Sequence, residues 1–456
     1  MNKQELIAEV EKLKDVITDA SISIWNNPEI SGEEKFSSEL IKNILKNNEF
    51  KIYDINNVEY AFYAEYGQGS PVIAIMGEYD ALPGMSQKKD IKHNPVIEGG
   101  NGHGCGHNLL GSAAMGAALA LKNYIKQDNV KGTIRFYGCP AEETLNGKVE
   151  MIRENAFDGC DVALSWHPMN VNTPIYNSYL ANNSIKFKFN GISAHAAAVP
   201  HLGRSALDAV ELMNTGANYM REHVIDKARI HYTITDAGGP PNIVPKEAES
   251  WYFIRAPHRK DVTEITDRLI KISEGAALMT ETEVSHKYVA GCYEMMPNKV
   301  LFDLTYKNMQ EISGPDFTLE ELQFADEIQK TVSEHQVEDD LNNYKIFKKY
   351  SMHKHVVSKE VAQETYLTGS SDSGDVSWIL PMNCFLTACW PLGINPHTWQ
   401  ATSMAGSEVA QKGMLYASKV FVSIAYDLLN DSSLVESAKK EFSDKTKNNK
   451  YVLPLK

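Results

Sequence analysis

The chain has 456 residues, of which 43% are apolar and 23% charged, and its formal net charge at pH 7 is −14. This length predicts one large domain with a smaller one, and the composition supplies a core of normal size without disulfide bonds. The acidic balance, with no cluster of Lys and Arg, argues against binding to nucleic acid or to an anionic membrane.

The N-terminal segment MNKQELIAEVEKLKDVITDA predicts an amphipathic helix, because Leu6, Val10, Leu13 and Ile17 share one face. It has no apolar run of the length that a signal peptide needs. No other window approaches the roughly 18 to 20 apolar residues of a membrane span. The six cysteines are few and scattered, which argues against a secreted disulfide scaffold. We therefore expect a cytoplasmic protein.

Short apolar runs then alternate with helical stretches. The sequence Ser31-Gly-Glu-Glu34 has the pattern of a capping box and predicts the start of a helix. Leu109–Tyr124 predicts a buried helix. Four runs bounded by turn residues predict buried strands: 71–77, 133–139, 161–166 and 384–389. This alternation predicts an α/β domain with a central mixed sheet flanked by helices.

Residues 183–295 have a different pattern. SIKFKFNG and RIHYTITDAGG alternate with period two, and helical segments are expected at 205–224 and 262–278. This combination predicts a smaller α+β domain, ferredoxin-like in its elements, inserted into the larger one. The expected boundaries are 1–182 and 296–456 for the two parts of the large domain, and 183–295 for the insert.

Polar side chains follow three of the predicted strands. Glu78 and Asp80 follow the first, Glu142 and Glu143 follow the second, and His167 follows the third. Each alone is more often a turn residue or a helix cap. Ligand sites gather at the carboxyl ends of strands in open α/β sheets, so their joint occurrence predicts one shared crevice.

The loop GNGHGCGHNLLG (100–111) places Cys105 and His107 two residues apart among glycines. It lacks the spacing of a nucleotide-binding loop, and no second pair stands at zinc-finger spacing. A catalytic metal site with ligands from several strand ends remains, and the alternative is a buried free Cys beside a structural His.

Glu142 and Glu143 need not have the same role. One can bind a metal, and the other can act as a general base on water. His397, which follows the strand CFLTACW, is a further candidate ligand, although a lone His is more often structural.

The ordered motifs WNNPEISGEE, GEYDALPG, GHGCGHNLLG, GCPAEET, SWHP, GISAHAA, GRSALDAV, PNIVP, GSSDSGDVSW and PHTWQATSMAG cover nearly the whole chain. On these, the chain resembles the aminoacylase/carboxypeptidase-type family of metal-dependent amidohydrolases. Within that family it is most similar to the group formed by the B subunits of p-aminobenzoyl-glutamate hydrolase. The resemblance implies a catalytic domain with an inserted lid and dimerisation domain.

The resemblance also implies roles for individual residues. Glu142 would be the general base and later the proton donor to the leaving amine, and Asp80 would orient a ligand. Five side chains would bind a pair of divalent metals, manganese or zinc, with Cys105 bridging them: Cys105, His107, Glu143, His167 and His397.

In the inserted domain, the resemblance implies that His195 reaches across a dimer interface and stabilises the oxyanion in the partner's site. Asn242 and Arg255 would hold the carboxylate of the substrate. The alternatives are that His195 is an edge residue and that Arg255 is an exposed strand residue.

Two departures from related enzymes concern the site. Asn108 stands where many relatives have Asp, and the B-subunit group shares the Asn. Glu78 stands where other metallopeptidases have the His of a His-x-Asp motif, which shifts the expected ligand set towards Cys105.

The implied function is hydrolysis of an amide bond next to a free carboxylate, in p-aminobenzoyl-glutamate or a related N-acyl amino acid. A dipeptidase or an aminoacylase of the same family is one alternative, and a non-catalytic regulatory subunit of a hetero-oligomer is another. The expected partners are a small-molecule substrate and a second copy of the chain. The alternative to this homodimer is a heteromer with a related chain.

Overall fold

The strands of the computed structural model form two sheets, and the structure describes residues 1–177, 179–347, 351–365 and 369–454. The strands are β1 (Lys51–Asp54), β2 (Phe62–Gln68), β3 (Val72–Glu78), β4 (Gly132–Cys139), β5 (Val162–Met169), β6 (Thr173–Pro174), β7 (Ala181–Asn190), β8 (Arg229–Asp236), β9 (Glu247–Ala256), β10 (Glu283–Cys292) and β11 (Met382–Ala388).

The helices cover most of the remaining chain. They are α1 (Lys3–Lys12), α2 (Lys14–Asn26), α3 (Lys35–Asn47), α4 (His107–Asp128), α5 (Gly147–Arg153), α6 (Ala206–Met220), α7 (Arg259–Thr280), α8 (Lys299–Glu311), α9 (Leu319–Gln329), α10 (Glu334–Asn343), α11 (Lys359–Glu364), α12 (Ser373–Ser377), α13 (Trp399–Ala405), α14 (Glu408–Asn430) and α15 (Ser432–Thr446). Within the described residues, no helix combines the length and apolar composition that a membrane crossing needs.

The chain divides into two units. Unit 1 comprises Met1–Ser178, Met296–Leu367 and Asp375–Tyr451. Unit 2 comprises Tyr179–Met295, Thr368–Gly374 and Val452–Lys456.

Unit 1 contains a mixed sheet with the strand order β1-β2-β4-β3-β5-β11-β6. The four central strands β4, β3, β5 and β11 run parallel, and the outer strands pair antiparallel. Strands β3 and β11 are buried along nearly their whole length, because helices cover the sheet. The predicted α/β class and its four buried strands are confirmed, and the parallel strands bring their carboxyl ends to one edge.

Unit 2 contains an antiparallel sheet with the order β10-β7-β9-β8. The helices α6 and α7 alternate with its strands in the chain and contribute the apolar core with it. This is the βαββαβ order of a ferredoxin-like fold, so the predicted smaller α+β unit is confirmed.

A helix does follow Ser31, but the predicted capping box does not form at its start. Helix α3 starts at Lys35, and its N-cap residue Glu34 makes no side-chain capping bond. The Ser31 hydroxyl donates instead to Asp80 Oδ2 at 2.8 Å, and Glu34 accepts from the amides of Gly32 and Ala141. The capping-box prediction is wrong because these side chains serve the strand-end loops rather than the helix.

Helix α4 approaches the end of β3 closely at Gly111. A Cβ atom there would lie 2.6 Å from the backbone oxygen of Glu78, whereas a Cβ at Gly275, inside α7, would meet open space. We expect Gly111→Ala to lower the free energy of unfolding by about 1–3 kcal/mol, since the backbone must shift. Gly275→Ala, the matched control, should raise it by up to about 1 kcal/mol through helix propensity. Thermal and urea unfolding of both variants check this, and equal effects would contradict it.

Candidate metal centre

Cys105 and His107 lie where the glycine-rich loop enters α4. His107 is the first residue of the helix, and Gly106 before it has a φ of 76°. A side chain at Gly106 would come within 2.8 Å of Pro168. Only glycine meets both demands, so this turn depends on Gly106.

The ligand-type atoms of several side chains converge at the carboxyl edge of the unit 1 sheet. They form three groups in which all ligand atoms lie within 4.8 Å of one another. The groups are Cys105 with His107 and His167, Cys105 with Glu143 and His397, and His107 with Glu78 and Glu142. All five predicted metal ligands and the predicted base therefore lie together, and Cys105 belongs to two groups.

The histidines present one ring nitrogen to this cluster and use the other elsewhere. His107 Nδ1 is 2.8 Å from Asp80 Oδ1, and His167 Nδ1 is 2.8 Å from the carbonyl oxygen of Pro168. In both rings the Nε2 atom faces the cluster: that of His167 is 3.2 Å from Cys105 Sγ. An acceptor at the far nitrogen is the usual arrangement for a metal-binding histidine.

His397 completes the second group from the other end of the chain. Its Nε2 atom is 3.2 Å from Glu143 Oε2, and its backbone amide donates to the carbonyl oxygen of Gly104 at 2.9 Å. Its φ of 64° is uncommon for a residue with a side chain. The side chain is 53% exposed, so this side of the cluster is open to solvent.

The pKa values in the cluster reflect burial and close charges. Burial raises the pKa of Cys105 well above its usual value, and Glu143 adds to this. Burial alone would lower the pKa of His107, but Cys105 and Asp80 raise it well above the usual value. Burial and the nearby His107 lower the pKa of His167 to about 4. His167 is therefore neutral at pH 7, as a ligand must be.

Asp80 connects three segments of unit 1. Its Oδ1 atom binds His107, and its Oδ2 atom accepts from the amide of Glu143 at 2.9 Å and from Ser31. Burial opposes the charged form, but His107 and these hydrogen bonds lower the pKa of Asp80 below its usual value. The carboxylate thus orients one candidate ligand by its ring and another by its backbone.

Glu34 supports the loop that carries Glu142 and Glu143. Its Oε1 atom accepts from the amide of Ala141 at 2.8 Å, and Ala141 has a left-handed φ of 56°. Burial, together with Asp80, raises the pKa of Glu34 to about 7. The bond fixes the backbone immediately before Glu142.

Glu78 forms a buried ion pair behind the cluster. Its Oε1 atom is 2.6 Å from Lys148 Nζ, and its Oε2 atom is 3.4 Å from His107 Nε2. Burial would raise the pKa of Glu78, but Lys148 and His107 lower it below its usual value. Glu78 is therefore a carboxylate that faces the cluster with one oxygen.

The remaining predicted site residues lie in unit 2. His195 and Asn242 are exposed and lie on adjacent segments, because the amide of Ala196 donates to the carbonyl oxygen of Asn242 at 3.0 Å. Arg255 lies on β9, opposite Asn182 of β7. Its Nε atom is buried and has no hydrogen-bond partner among the described residues. Burial lowers the pKa of Arg255.

Lys148, Ser31 and Glu34 were not predicted as part of the site. Ser31 and Glu34 were hidden by their capping-box pattern. Lys148 follows Gly147 at the start of the apolar helical stretch GKVEMI. A lysine at a position that this pattern expects to be buried was the signal that could have identified it.

The donor set fits a metal centre. A thiol, imidazoles and carboxylates together suit zinc, manganese or cobalt. Two buried atoms that face the cluster, His107 Nε2 and Glu143 Oε1, lack a hydrogen-bond partner among the described residues. A bound cation would satisfy both atoms, and an adjacent carboxylate such as Glu142 could then act as a base on water.

We expect Asp80→Asn to weaken metal binding about 10- to 100-fold, because the amide loses the charge that holds His107. Manganese affinity of the metal-stripped protein, measured by competition with a coloured chelator, checks this. Asp316→Asn, whose side chain is 91% exposed, is the control and should bind as the unchanged protein does. Equal affinity in both variants would contradict the role of Asp80.

Comparison with known proteins agrees with this site. The sequence profile of Peptidase family M20/M25/M40 matches residues 74–346. The B subunit of p-aminobenzoyl-glutamate hydrolase from Escherichia coli (strain K12) is 43% identical, over 96% of this chain and 94% of that protein. The Xaa-Arg dipeptidase of Mus musculus is 28% identical, over 93% of this chain and 88% of that protein.

A solved structure shares the fold. A dinuclear metal-binding peptidase of the M20 family from Bacillus subtilis matches with a TM-score of 0.61 at 16% identity, over 92% of this chain and 99% of that chain. The family profile covers more than half of the chain, and the strand-end cluster lies within the fold that these peptidases share. The chain therefore belongs to Peptidase family M20/M25/M40, and its chemistry is the hydrolysis of amide bonds.

Proposed function

We propose that the protein is a dinuclear-metal amidohydrolase that cleaves an amide bond next to a free carboxylate, with p-aminobenzoyl-glutamate as its first candidate substrate. The observation that carries the proposal is the cluster of Cys105, His107, Glu143, His167 and His397 with Glu142 beside it. The similarity to the B subunit of the Escherichia coli p-aminobenzoyl-glutamate hydrolase supports the choice of substrate.

In the proposed centre, Cys105, His107 and His167 would hold one metal ion, and Cys105, Glu143 and His397 would hold the other, because Cys105 belongs to both groups of ligand atoms. Two divalent ions, manganese or zinc, would lower the pKa of water and polarise the amide carbonyl. The site residues fit both ions, since the donor set mixes sulfur, nitrogen and oxygen.

Glu142 would do the proton transfers. It takes a proton from the attacking water as the new bond to the amide carbon forms. It then delivers that proton to the amide nitrogen as the carbon–nitrogen bond breaks, which gives a carboxylic acid and a free amine. Its carboxylate lies in the same group of ligand atoms as His107, which supports this role.

We propose that residues 183–295 act as the lid and dimerisation domain. His195 would donate to the oxyanion in the site of the partner copy, and Asn242 and Arg255 would bind the substrate carboxylate. The buried Nε atom of Arg255, without a partner among the described residues, supports this role, because an anion would satisfy it.

Two alternatives keep a specific observation in their favour. The Xaa-Arg dipeptidase similarity supports a dipeptide substrate at the same centre. The chain is also 24% identical, over 56% of its length, to the A subunit of the Escherichia coli p-aminobenzoyl-glutamate hydrolase, which supports a heteromer with a related chain. A non-catalytic subunit of such a heteromer would not need the metal ligands or Glu142. We propose a cytoplasmic location, where its cysteine thiols would stay reduced.

The first test compares Glu142→Gln with the unchanged protein. We expect the unchanged protein to bind about two metal ions per chain and to hydrolyse p-aminobenzoyl-glutamate or a member of a panel of dipeptides and N-acyl amino acids. A chelator should abolish turnover, and Glu142→Gln should retain the metal but lose at least about 10²-fold in rate.

The control for that test is Glu320→Gln, an exposed residue of the first turn of α9. It should leave the rate unchanged. Metal bound without turnover of any substrate would support the heteromer, and addition of the related chain would then be tested. Absence of both metal and turnover would overturn the proposal.

The second test addresses His195. We expect His195→Ala to lower kcat about 10²- to 10³-fold while metal content stays the same, because an oxyanion donor acts mainly in the transition state. His201→Ala, also exposed in unit 2, is the matched control and should keep full activity.

Co-expression of His195→Ala with Glu142→Gln distinguishes action of His195 in the site of its own subunit from action in the partner's site. If His195 serves the partner's site, half of the dimers are mixed and carry one intact site, so activity should return to about a quarter of normal. No recovery in a dimer of confirmed mixed composition would refute the action across the interface.

A further inference from the structure

Lys148 is a lysine with no exposed side-chain surface, in the first turn of α5. A buried ammonium group is costly unless it is paired and hydrogen-bonded. Its Nζ atom lies 2.6 Å from Glu78 Oε1, and the Glu78 side chain is only 3% exposed. The structure therefore contains a fully enclosed ion pair at the end of β3.

The backbone fixes Lys148 relative to the candidate base. Gly147 packs so closely against the loop after β4 that a Cβ atom there would lie 1.7 Å from the carbonyl oxygen of Pro140. Helix α5 thus starts directly against the segment that carries Glu142 and Glu143. Lys148 directly follows this contact, so its backbone position is tied to that of the loop.

The ion pair also reaches the metal centre on its other side. Glu78 Oε2 is 3.4 Å from His107 Nε2, the nitrogen that faces the cluster. Glu78, His107 and Glu142 form one of the three groups of converging ligand atoms. Lys148 holds one oxygen of Glu78, so only the second oxygen can act on the centre.

Charge gives this arrangement a further consequence. With a thiolate at Cys105, the centre carries five negative charges, four of them carboxylates: Glu78, Asp80, Glu142 and Glu143. Two divalent metals would supply four positive charges, and the ammonium of Lys148 supplies the fifth. An uncompensated buried charge is strongly destabilising, so each of these negative charges needs an opposite charge nearby.

We propose that Glu78 and Lys148 form a positioning pair for the metal centre. Lys148 binds one carboxylate oxygen of Glu78, so that only the other oxygen faces His107 Nε2. Its positive charge also offsets part of the negative charge that attracts the metals. The inference rests on the proposed dinuclear function and adds two residues that act on its metal affinity and its rate.

The test measures manganese affinity of the metal-stripped protein for Lys148→Met, Glu78→Gln and the double variant, with kcat and KM for each. Loss of the ammonium makes the centre more negative, so Lys148→Met should bind manganese about tenfold tighter or more. Loss of the carboxylate should weaken binding about 10- to 100-fold in Glu78→Gln. The proposal thus predicts opposite shifts of manganese affinity in the two single variants. An ion pair that only stabilises the fold would change only the melting temperature.

The double variant keeps the test decisive if either single variant fails to fold, because it leaves no unpaired buried charge. Its net charge equals that of the unchanged protein, so manganese affinity should be nearly normal. Because the Glu78 carboxylate beside His107 is gone, kcat should fall about tenfold while KM stays the same. Normal kcat and normal affinity in the double variant would overturn the proposal, as would single-variant shifts in the same direction.

Lys126→Met is the control for loss of a lysine ion pair. Its Nζ atom lies 2.6 Å from Glu49 Oε2, and Lys126 is in α4, about 28 Å along the helix from His107. It should not change manganese affinity. An unchanged protein that binds neither manganese nor zinc and hydrolyses no substrate would overturn the proposed function and this inference with it. Normal metal binding by the unchanged protein, with no change of affinity in the variants, would overturn only the inference.

Discussion

The buried carboxylate of Asp80 is the contact on which the candidate site depends. It joins the ring of His107 at the start of α4, the amide of Glu143 after β4 and the hydroxyl of Ser31 before α3. A buried carboxylate is tolerated only when its oxygens accept hydrogen bonds, and here each bond comes from a different segment. The same interactions that satisfy Asp80 therefore set the positions of one candidate ligand's ring and another's backbone.

Close backbone packing makes this arrangement possible. Gly111 lets α4 approach the backbone of Glu78, and Gly147 lets α5 begin against Pro140. Both approaches bring a helix to the end of a parallel strand, where the sheet already collects the polar side chains. The fold of unit 1 thus positions His107 through the first contact and the segment of Glu142 through the second, and both contacts would exclude even a methyl group.

Sequence patterns predicted the features that depend on local periodicity and on strand order. The four buried strands and α4 follow from their apolar runs, and the convergence of Cys105, His167 and Glu143 follows from the rule for strand ends. The capping box failed because a Ser-x-x-Glu pattern shows which groups can form hydrogen bonds and not which partners the fold brings near. Lys148 was missed for the same reason: burial of a charge depends on a partner, Glu78, that lies 70 positions away in the chain.

Protons take the place of cations when the centre holds no metal. Burial and Glu143 raise the pKa of Cys105 and so favour the thiol, and Asp80 raises the pKa of His107 and so favours the charged imidazole. A metal binds the thiolate and the neutral imidazole, so metal uptake must release these protons. Lys148 is paired with Glu78 at 2.6 Å, and this carboxylate favours the ammonium form whether or not metals are bound. The centre thus combines two protons that metals displace with an ion pair that needs no metal. Burial opposes the charged form of Glu78, but Lys148 and His107 lower its pKa and favour the carboxylate.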